Sequence, residues 1–195
     1  FPVTISCGMA DGGDRLVAHR ALKLGIAVQA ILPMPKQYYL SDFSTDSAAE
    51  LETLLTHENV SLHEIPLPAE TPSVAISEPG AARDRQYGLL GDWLCRHSNL
   101  MLGLWDGGLE RPEGGTADVL LSYLFEQPND LGKLEFSTLN FVKDAPTLPS
   151  ANVVAWIEMG RQSTGERKFP ALSYLAPALE DQTVVRTREM PELLL

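Results

Sequence analysis

Residues 3–24 read VTISCGMADGGDRLVAHRALKL, a β-type run that leads through a glycine-containing loop into a helical pattern. Residues 3–6 are predicted to form a strand, because β-branched residues dominate them and turn-type residues follow. Residues 12–24 are predicted to form a helix, because apolar residues recur at helical spacing and Gly25 supplies a stop. A strand that passes through a short loop into a helix is the first half of a βαβ unit.

The rest of the chain repeats this alternation of short β-type runs and helical patterns. Such alternation is typical of α/β proteins, so we expect an α/β fold with a mainly parallel sheet. The predicted strands are residues 3–6, 26–32, 60–65, 100–105, 153–157 and 183–186. The predicted helices are residues 12–24, a segment that begins near Ser47 with a capping box to Glu50, residues 81–97, and a segment that begins at Thr116. Residues 128–150 and 158–170 are predicted loops, because Pro, Gly, Ser and charged residues are frequent there.

Length and composition favour one domain. The chain has 195 residues, of which 44% are hydrophobic, as in ordinary globular domains. We expect a single domain over residues 1–195, with a core near residues 1–160 and a C-terminal extension over residues 161–195. Because the chain starts at Phe1 without a methionine, directly before a predicted strand, we also expect it to be a segment of a longer protein.

Charge and hydropathy exclude two classes of partner. The formal net charge is −11, and residues 37–82 hold eight acidic residues and no lysine or arginine. A nucleic-acid surface needs a cluster of basic side chains to neutralise phosphates, and the sequence contains no such cluster. No apolar run reaches the roughly 18 residues of a membrane span. We therefore expect no nucleic acid as a partner and no membrane contact by this segment.

The cysteines and histidines do not form a recognisable reactive or metal-binding pattern. Cys7 and Cys95 lie far apart and outside any C-x-x-C pair, which fits a reducing compartment and predicts a cytoplasmic location. Cys7 is interpreted as a buried, inert thiol rather than a nucleophile, since no histidine lies near it in sequence. The histidines lack metal-motif spacing, so no metal and no cofactor are expected.

Two segments combine a strand end, a glycine pair and a helix start: residues 6–15, and residues 105–108 followed by 113–118. A glycine in the first helical turn costs about 1 kcal/mol relative to alanine, so a pair there suggests close approach of a ligand to the backbone. Helix N-termini suit phosphate, although tight βα turns also use glycine without any ligand. The neighbouring acids would repel bare phosphate and accept hydrogen bonds from ribose hydroxyls, which favours a sugar-bearing ligand. These acids are Asp11, Asp14, Asp106 and Asp118.

Several motifs, in this order, resemble the SLOG superfamily over roughly residues 1–126. They are Cys7-Gly8-Met9-Ala10-Asp11-Gly12-Gly13-Asp14-Arg15, Ile31-Leu32-Pro33-Met34-Pro35 with Tyr38, Arg83-Asp84 with Tyr87, and Leu104-Trp105-Asp106-Gly107 with Gly114-Gly115-Thr116-Ala117-Asp118. SLOG proteins are Rossmann-like nucleotide-binding domains that include LOG phosphoribohydrolases, DNA-processing proteins, cytosolic regions of TRPM channels and sensor domains of antiviral effectors. The resemblance implies a Rossmann-like three-layer αβα arrangement.

The sequence departs from the SLOG pattern in two places. Family members usually begin with an additional strand and glycine-bearing loop, to which nothing here corresponds. LOG hydrolases carry P-G-G-x-G-T-x-x-E, whereas residues 112–118 read PEGGTAD, and no Glu stands three residues after Thr116. The prediction is a sensor or regulatory domain that recognises a nucleotide or a nucleotide-derived signal, with no catalytic residue assigned. The alternatives are a LOG-like nucleotide N-glycosidic hydrolase, with Asp118 or Asp14 as its carboxylate, and a ligand-free scaffold.

The same resemblance implies which residues contact the ligand. Arg83 and Arg85 also stand at a predicted helix start, where the dipole disfavours a cation, which indicates an anion beside them; a solvated pair of arginines fits the sequence equally well. The partners expected are a nucleotide or nucleotide-derived small molecule, and a second copy of the chain or a fused effector domain. The predicted ligand-binding residues are Gly8, Met9, Ala10, Asp11, Gly12, Asp14, Arg15, Pro33, Arg83, Tyr87, Trp105, Asp106, Gly107, Gly114, Gly115, Thr116 and Asp118.

Overall fold

The structure is a computed structural model that describes residues 2–108, 113–125, 142–143, 152–159, 172–177 and 184–187. It is a mixed α/β protein whose described strands form two sheets. The chain divides into two units, Phe1–Leu94 and Cys95–Leu195. None of the helices in the described part of the chain combines the length and apolar character that a membrane crossing needs.

The first unit is built on three parallel strands in the order β1-β2-β3. Its elements are β1 (Thr4–Cys7), α1 (Gly13–Lys23), β2 (Ala27–Leu32), α2 (Lys36–Tyr39), a 3-10 turn (Leu40–Asp42), α3 (Thr45–Leu55), β3 (Val60–Glu64), a second 3-10 turn (Ser73–Ile76) and α4 (Ala81–His97). The last three residues of α4 belong to the second unit. The predicted strands and helices of this unit are confirmed, with ends that differ by at most two residues.

Successive residues of β2 point to opposite faces of this sheet, and each face packs against a different cluster. Ala30 and Leu32 are buried in a cluster that also contains Ala18 of α1 and Leu51 of α3. Ile31, between them, packs against Leu90 of α4. This alternation follows from the two-residue period of a strand, and it covers β2 on both sides.

The predicted capping box between Ser47 and Glu50 is wrong. Helix α3 begins at Thr45, and Ser44 caps it by accepting a hydrogen bond from the Ser47 N–H at 3.3 Å. Ser44 and Ser47 both fit the preference for serine before a helix, and only the first has the extended backbone of an N-cap. The Ser47 side chain is therefore available for contacts with α1.

The second unit has a mixed sheet in the order β4-β6-β7-β8-β5. Its elements are β4 (Met101–Trp105), α5 (Thr116–Phe125), β5 (Val142–Lys143), β6 (Val154–Glu158), β7 (Leu172–Pro177) and β8 (Val184–Thr187). β4 pairs with β6 and β5 pairs with β8 in parallel, whereas β7 is antiparallel to both of its neighbours. The expected mainly parallel sheet is therefore found in the first unit, whereas the second unit has two parallel and two antiparallel strand pairs.

Two loop predictions in the second unit need correction where the structure describes the chain. Val142–Lys143 is a short strand inside the predicted loop 128–150, and Glu158 ends β6 rather than starting a loop. Residues 128–141, 144–150 and 160–170 lie outside the described residues. The strand β7 has no alternating pattern, because four successive residues, 173–176, are buried, and it is not among the predicted strands.

Replacing Gly103 with alanine is expected to destabilise the second unit by about 1–3 kcal/mol, because it overpacks the core. A Cβ at Gly103 would lie 2.7 Å from Leu120 Cδ1 and 3.3 Å from Val154 Cγ1, and both neighbours are buried. Urea unfolding followed by tryptophan fluorescence measures the cost. In the Leu120→Ala background the same substitution should cost at least about 1 kcal/mol less, because the clash is gone. Equal costs in the two backgrounds would contradict this packing argument.

Candidate functional site

The loop between β1 and α1 has a backbone that few residues can adopt. Met9 has a φ of 61° and Gly12 a φ of 87° with a ψ of −110°. A Cβ on Gly12 would meet no atom within 4 Å. Gly12 is therefore required by its backbone conformation and not by crowding, and the space beside it is open. Left-handed Met9 turns successive backbone N–H groups toward one point, the arrangement known as an anion-binding nest.

The carboxylate of Asp14 folds back onto this loop. Its Oδ2 accepts a hydrogen bond from the Ala10 N–H at 3.2 Å. Burial raises the pKa of the Asp14 carboxyl above its usual value, although hydrogen bonds from the backbone of Ala10, Gly8 and Met9 and the charge of Arg15 act in the opposite direction. The first turn of α1 thus supplies a hydrogen-bond acceptor to the loop that precedes it.

Arg15 ties the same loop to α3. Its side chain is only 3% exposed, and its Nε donates to the Met9 carbonyl at 3.0 Å. Its Nη1 donates to the carbonyl and the hydroxyl of Ser47, each at 2.8 Å, and forms ion pairs with Asp11 at 2.9 Å and Glu50 at 3.2 Å. The buried Nη2 has no hydrogen-bond partner among the residues that the structure describes. Arg15 is therefore the internal support of the loop.

Sequence reasoning missed Ser47 and Tyr39 as neighbours of the glycine loop. The Ser47 hydroxyl donates to Asp11 Oδ1 at 2.6 Å, and the Tyr39 hydroxyl donates to the Gly8 carbonyl at 2.8 Å. Both residues lie more than 30 positions from their partners, so no local pattern reveals the contacts. The one available signal was a serine near a helix start, which was assigned to capping.

A groove of about 610 Å³ lies between α1 and α3, on residues that the sequence analysis did not select. His19 Nε2 lies 2.9 Å from Glu50 Oε1 on its wall. The hydrogen bonds from His19 and Arg15 lower the pKa of the exposed Glu50 carboxyl. The groove is lined by His19, Leu22, Lys23, Glu50, Thr53, Leu54 and His57, and none of the predicted ligand-binding residues is among them.

The anion expected beside Arg83 is the carboxylate of Asp42. Arg83 is buried, and its Nη2 lies 2.6 Å from Asp42 Oδ1 and 3.0 Å from the Tyr38 carbonyl. Its Nη1 donates to the Ile76 carbonyl, and the Tyr87 hydroxyl donates to the same Asp42 carboxylate. Burial, and then the contact with Asp42, raises the pKa of the Tyr87 hydroxyl. Arg83 and Tyr87 thus hold two turns of the first unit against α4.

Pro33 follows β2, and its carbonyl is hydrogen-bonded by the buried side-chain amide of Gln86. The Pro33 carbonyl accepts a hydrogen bond from Gln86 Nε2 at 2.8 Å. Gln86 is fully buried, and its Oε1 has no partner among the described residues.

Cys7 is confirmed as a buried thiol, and burial raises its pKa to about 12, so the thiol stays protonated at neutral pH.

In the second unit, the turn after β4 closes on itself. Trp105 Nε1 donates to the Gly108 carbonyl at 3.0 Å, and the Gly108 N–H donates to Asp106 Oδ1 at 3.0 Å. Trp105 is only 5% exposed and its ring lies 5.9 Å from that of Trp156. Gly107 has a φ of 80°, and a Cβ there would contact the Trp156 ring at 3.6 Å. The Trp105 ring is therefore part of the packing of this unit.

The turn before α5 repeats the arrangement found before α1. Asp118, in the first turn of α5, accepts a hydrogen bond from the Gly114 N–H at 3.0 Å through Oδ2. The spacing of four residues equals that between Ala10 and Asp14. Gly115 ends this turn and Thr116 begins α5, and the Gly115 carbonyl accepts a hydrogen bond from the Val119 N–H at 3.0 Å. Each glycine loop thus has its own first-turn carboxylate.

The structure places the predicted residues in four groups, each within one unit. The groups are Gly8, Met9, Ala10, Asp11, Gly12, Asp14 and Arg15; Pro33, Arg83 and Tyr87, which contact or belong to α4; Trp105, Asp106 and Gly107; and Gly114, Gly115, Thr116 and Asp118.

Among the described residues, no group of three His, Cys, Asp or Glu side chains is placed to hold a metal ion. Comparison with family models, with curated proteins and with solved structures finds no match for the chain.

Proposed function

We propose that the chain is a ligand-binding sensor or regulatory domain of the SLOG type, which recognises a nucleotide or a nucleotide-derived signal. The observation that carries the proposal is the β1–α1 loop. There the backbone of Gly12 has a conformation restricted to glycine, open space adjoins it, and a buried arginine supports the loop from behind. A preformed loop at the carboxyl edge of parallel strands is where α/β proteins bind ligands.

A Rossmann-like three-layer arrangement is part of this proposal. Its support in the first unit is the parallel order β1-β2-β3 and the burial of both faces of β2. A strand buried on both faces is typical of a parallel sheet between two layers of helices.

We propose that the domain binds without catalysis. The hydrolase alternative needs Asp14 or Asp118 as a carboxylate at the anomeric carbon of a nucleotide. Both carboxylates accept a hydrogen bond from the loop in front of their helix, which supports a role in loop structure instead. Cys7 and Cys95 are both thiols, which suits a cytoplasmic location. Occupancy of the site would pass to a second copy of the chain or to a fused effector domain.

Replacing Gly12 with alanine is expected to lower ligand affinity at least tenfold, because the new Cβ would occupy the open space beside the loop. The matched control is Gly25→Ala, at the other end of α1, where φ is 72° and a Cβ also meets nothing within 4 Å. Both substitutions place a Cβ on a residue with positive φ, which costs about 1–2 kcal/mol in the left-handed helical region and more at Gly12, whose ψ of −110° lies outside that region. A loss of ligand affinity is expected only for Gly12→Ala.

The measurement is thermal stabilisation, followed by calorimetry, with AMP, cyclic dinucleotides, NAD and ADP-ribose. A bound ligand at 100 times its Kd stabilises the native state by about 2.7 kcal/mol. If no member of the panel stabilises the wild type, the scaffold alternative is favoured. Equal ligand affinities of Gly12→Ala and Gly25→Ala would place the ligand elsewhere, and chromatographic detection of released base would favour the hydrolase.

A further inference from the structure

The groove between α1 and α3 has the size and the lining of a small-molecule site. Its volume of about 610 Å³ lies within the range of roughly 300–1,000 Å³ that is typical of such sites. Leu22 of α1 and Leu54 of α3 give it an apolar floor, and both also pack in the core cluster of the first unit. Polar side chains surround this floor, so their unused hydrogen-bonding groups determine which ligand fits.

The carboxylate and the hydroxyl that line the groove already have partners. Glu50 Oε1 lies 2.9 Å from His19 Nε2, and Glu50 Oε2 lies 3.2 Å from Arg15 Nη1. The Thr53 hydroxyl donates to the Ala49 carbonyl, one turn earlier in α3, at 2.8 Å. Glu50 is the only acidic residue among those that line the groove, and its charge is offset by the guanidinium of Arg15.

Two donors at the groove have no partner in the part of the chain that the structure describes. Lys23 is exposed in the last turn of α1, and its ammonium forms no ion pair with a described residue. His57 follows α3, and its Nδ1 accepts a hydrogen bond from the Asn59 N–H at 3.1 Å. In the neutral ring the proton is therefore on Nε2, for which no described acceptor exists.

Both donors stand at the carboxyl ends of their helices, where free carbonyls disfavour an anion. Here the last carbonyls already accept hydrogen bonds, which reduces that effect. The Gly25 N–H donates to the Leu22 carbonyl at 3.0 Å, and the His57 N–H donates to the Leu54 carbonyl at 3.2 Å. The groove therefore combines an apolar floor with one ammonium and one ring N–H that are available to an acceptor.

We propose that this groove binds an amphiphilic organic anion, a molecule with an apolar chain or ring and one carboxylate. The apolar part packs on Leu22 and Leu54, and the carboxylate accepts hydrogen bonds from Lys23 and His57. A cationic ligand would meet Lys23 and find Glu50 already paired. The site is separate from the β1–α1 loop, since none of the residues that line the groove belongs to that loop.

Titration of the full chain with octanoate, followed through amide chemical shifts by NMR, tests this proposal. Octanoate is kept below the concentration at which it forms micelles, and acetate and 1-octanol serve as probes with only the charge or only the chain. We expect saturable octanoate-dependent shifts at Leu22, Thr53 and His57, and at least threefold weaker binding of either other probe. The absence of these shifts, or equal binding of 1-octanol, would overturn the proposal.

Lys23→Met tests the charge, because methionine keeps the apolar stem and removes the ammonium. The affinity for octanoate is expected to fall at least threefold, whereas that for 1-octanol should not change. The matched control is Arg20→Met, which removes a cation from an exposed residue in the same turn of α1 but outside the groove. Equal losses in the two variants would assign the effect to net charge and would contradict the proposed contact.

Thr53→Phe tests the location, because it places a ring at the exposed wall of the groove. It should weaken octanoate binding at least fivefold. Thr45→Phe, the same substitution at an exposed residue at the other end of α3, should leave the affinity unchanged. Wild-type affinity in folded Thr53→Phe would show that octanoate binds elsewhere. The nucleotide panel is measured separately, so failure of the proposed function and failure of this site are distinguishable.

Discussion

Replacing Arg83 with methionine is expected to destabilise the first unit by about 3–5 kcal/mol, the cost of removing one partner of a buried ion pair. Arg83 is buried, and its guanidinium donates hydrogen bonds to the carbonyls of Ile76 and Tyr38 and forms an ion pair with the Asp42 carboxylate. Methionine keeps the apolar stem and removes the donors, so the carbonyls lose hydrogen bonds rather than packing. The 30% exposure of the Asp42 side chain places the expected cost near the lower end of this range.

Arg85→Met is the matched control, because Arg85 lies on the same helix and is exposed. Its effect on stability should stay within about 0.5 kcal/mol. Native-state hydrogen exchange at the amides of β2 measures the free energy of opening of the first unit alone. Similar losses for the two variants would show that helix propensity or net charge, and not the buried contacts, accounts for the effect.

Replacing Arg15 with methionine is expected to destabilise the first unit by about 2–4 kcal/mol, because two carbonyls, those of Met9 and Ser47, lose their donors. The carboxylates of Asp11 and Glu50 are about half exposed and can be hydrated when the guanidinium is gone. The expected cost is accordingly smaller than that of a fully buried pair. The amides of Met9 and Ala10 should lose more exchange protection than those of β3.

The control for Arg15 is Arg20→Met on the exposed side of the same helix. Arg20 lies in the last turn of α1, where a cation interacts favourably with the helix dipole, so a loss below about 1 kcal/mol is expected. A loss of the same size at Arg15 would mean that the contacts between the loop and α3 contribute little to stability.

The three strands and the helices α1, α3 and α4 of the first unit were predictable because their signals are local. The apolar spacing of α1, its stop at Gly25, the apolar residues that end β2 and the alternation of apolar and polar residues that begins β3 identify each element without knowledge of its neighbours. β7 was not predictable in this way. Its four successive buried residues follow from pairing with β6 and β8, and strand pairing is not encoded in a local pattern.

The candidate site was predictable only in part. The sequence indicated that Asp14 stands at a helix start, and an anion was expected beside Arg83. The direction in which the Asp14 carboxylate points depends on the backbone of the preceding loop. Met9 has a positive φ there, and a non-glycine residue gives no sequence signal for that conformation. The anion beside Arg83 is Asp42, 41 positions earlier, and a contact over that distance arises only from the fold.

The carboxylates that fold back onto the glycine loops also bear on the rate and entropy of binding. A loop whose N–H groups already have an internal acceptor is ordered before any ligand arrives. The conformational entropy of the loop is then lost on folding, and association does not have to include an ordering step. Recognition by such pre-organised loops proceeds as docking to a rigid surface, with rate constants set by diffusion and orientation and not by loop closure.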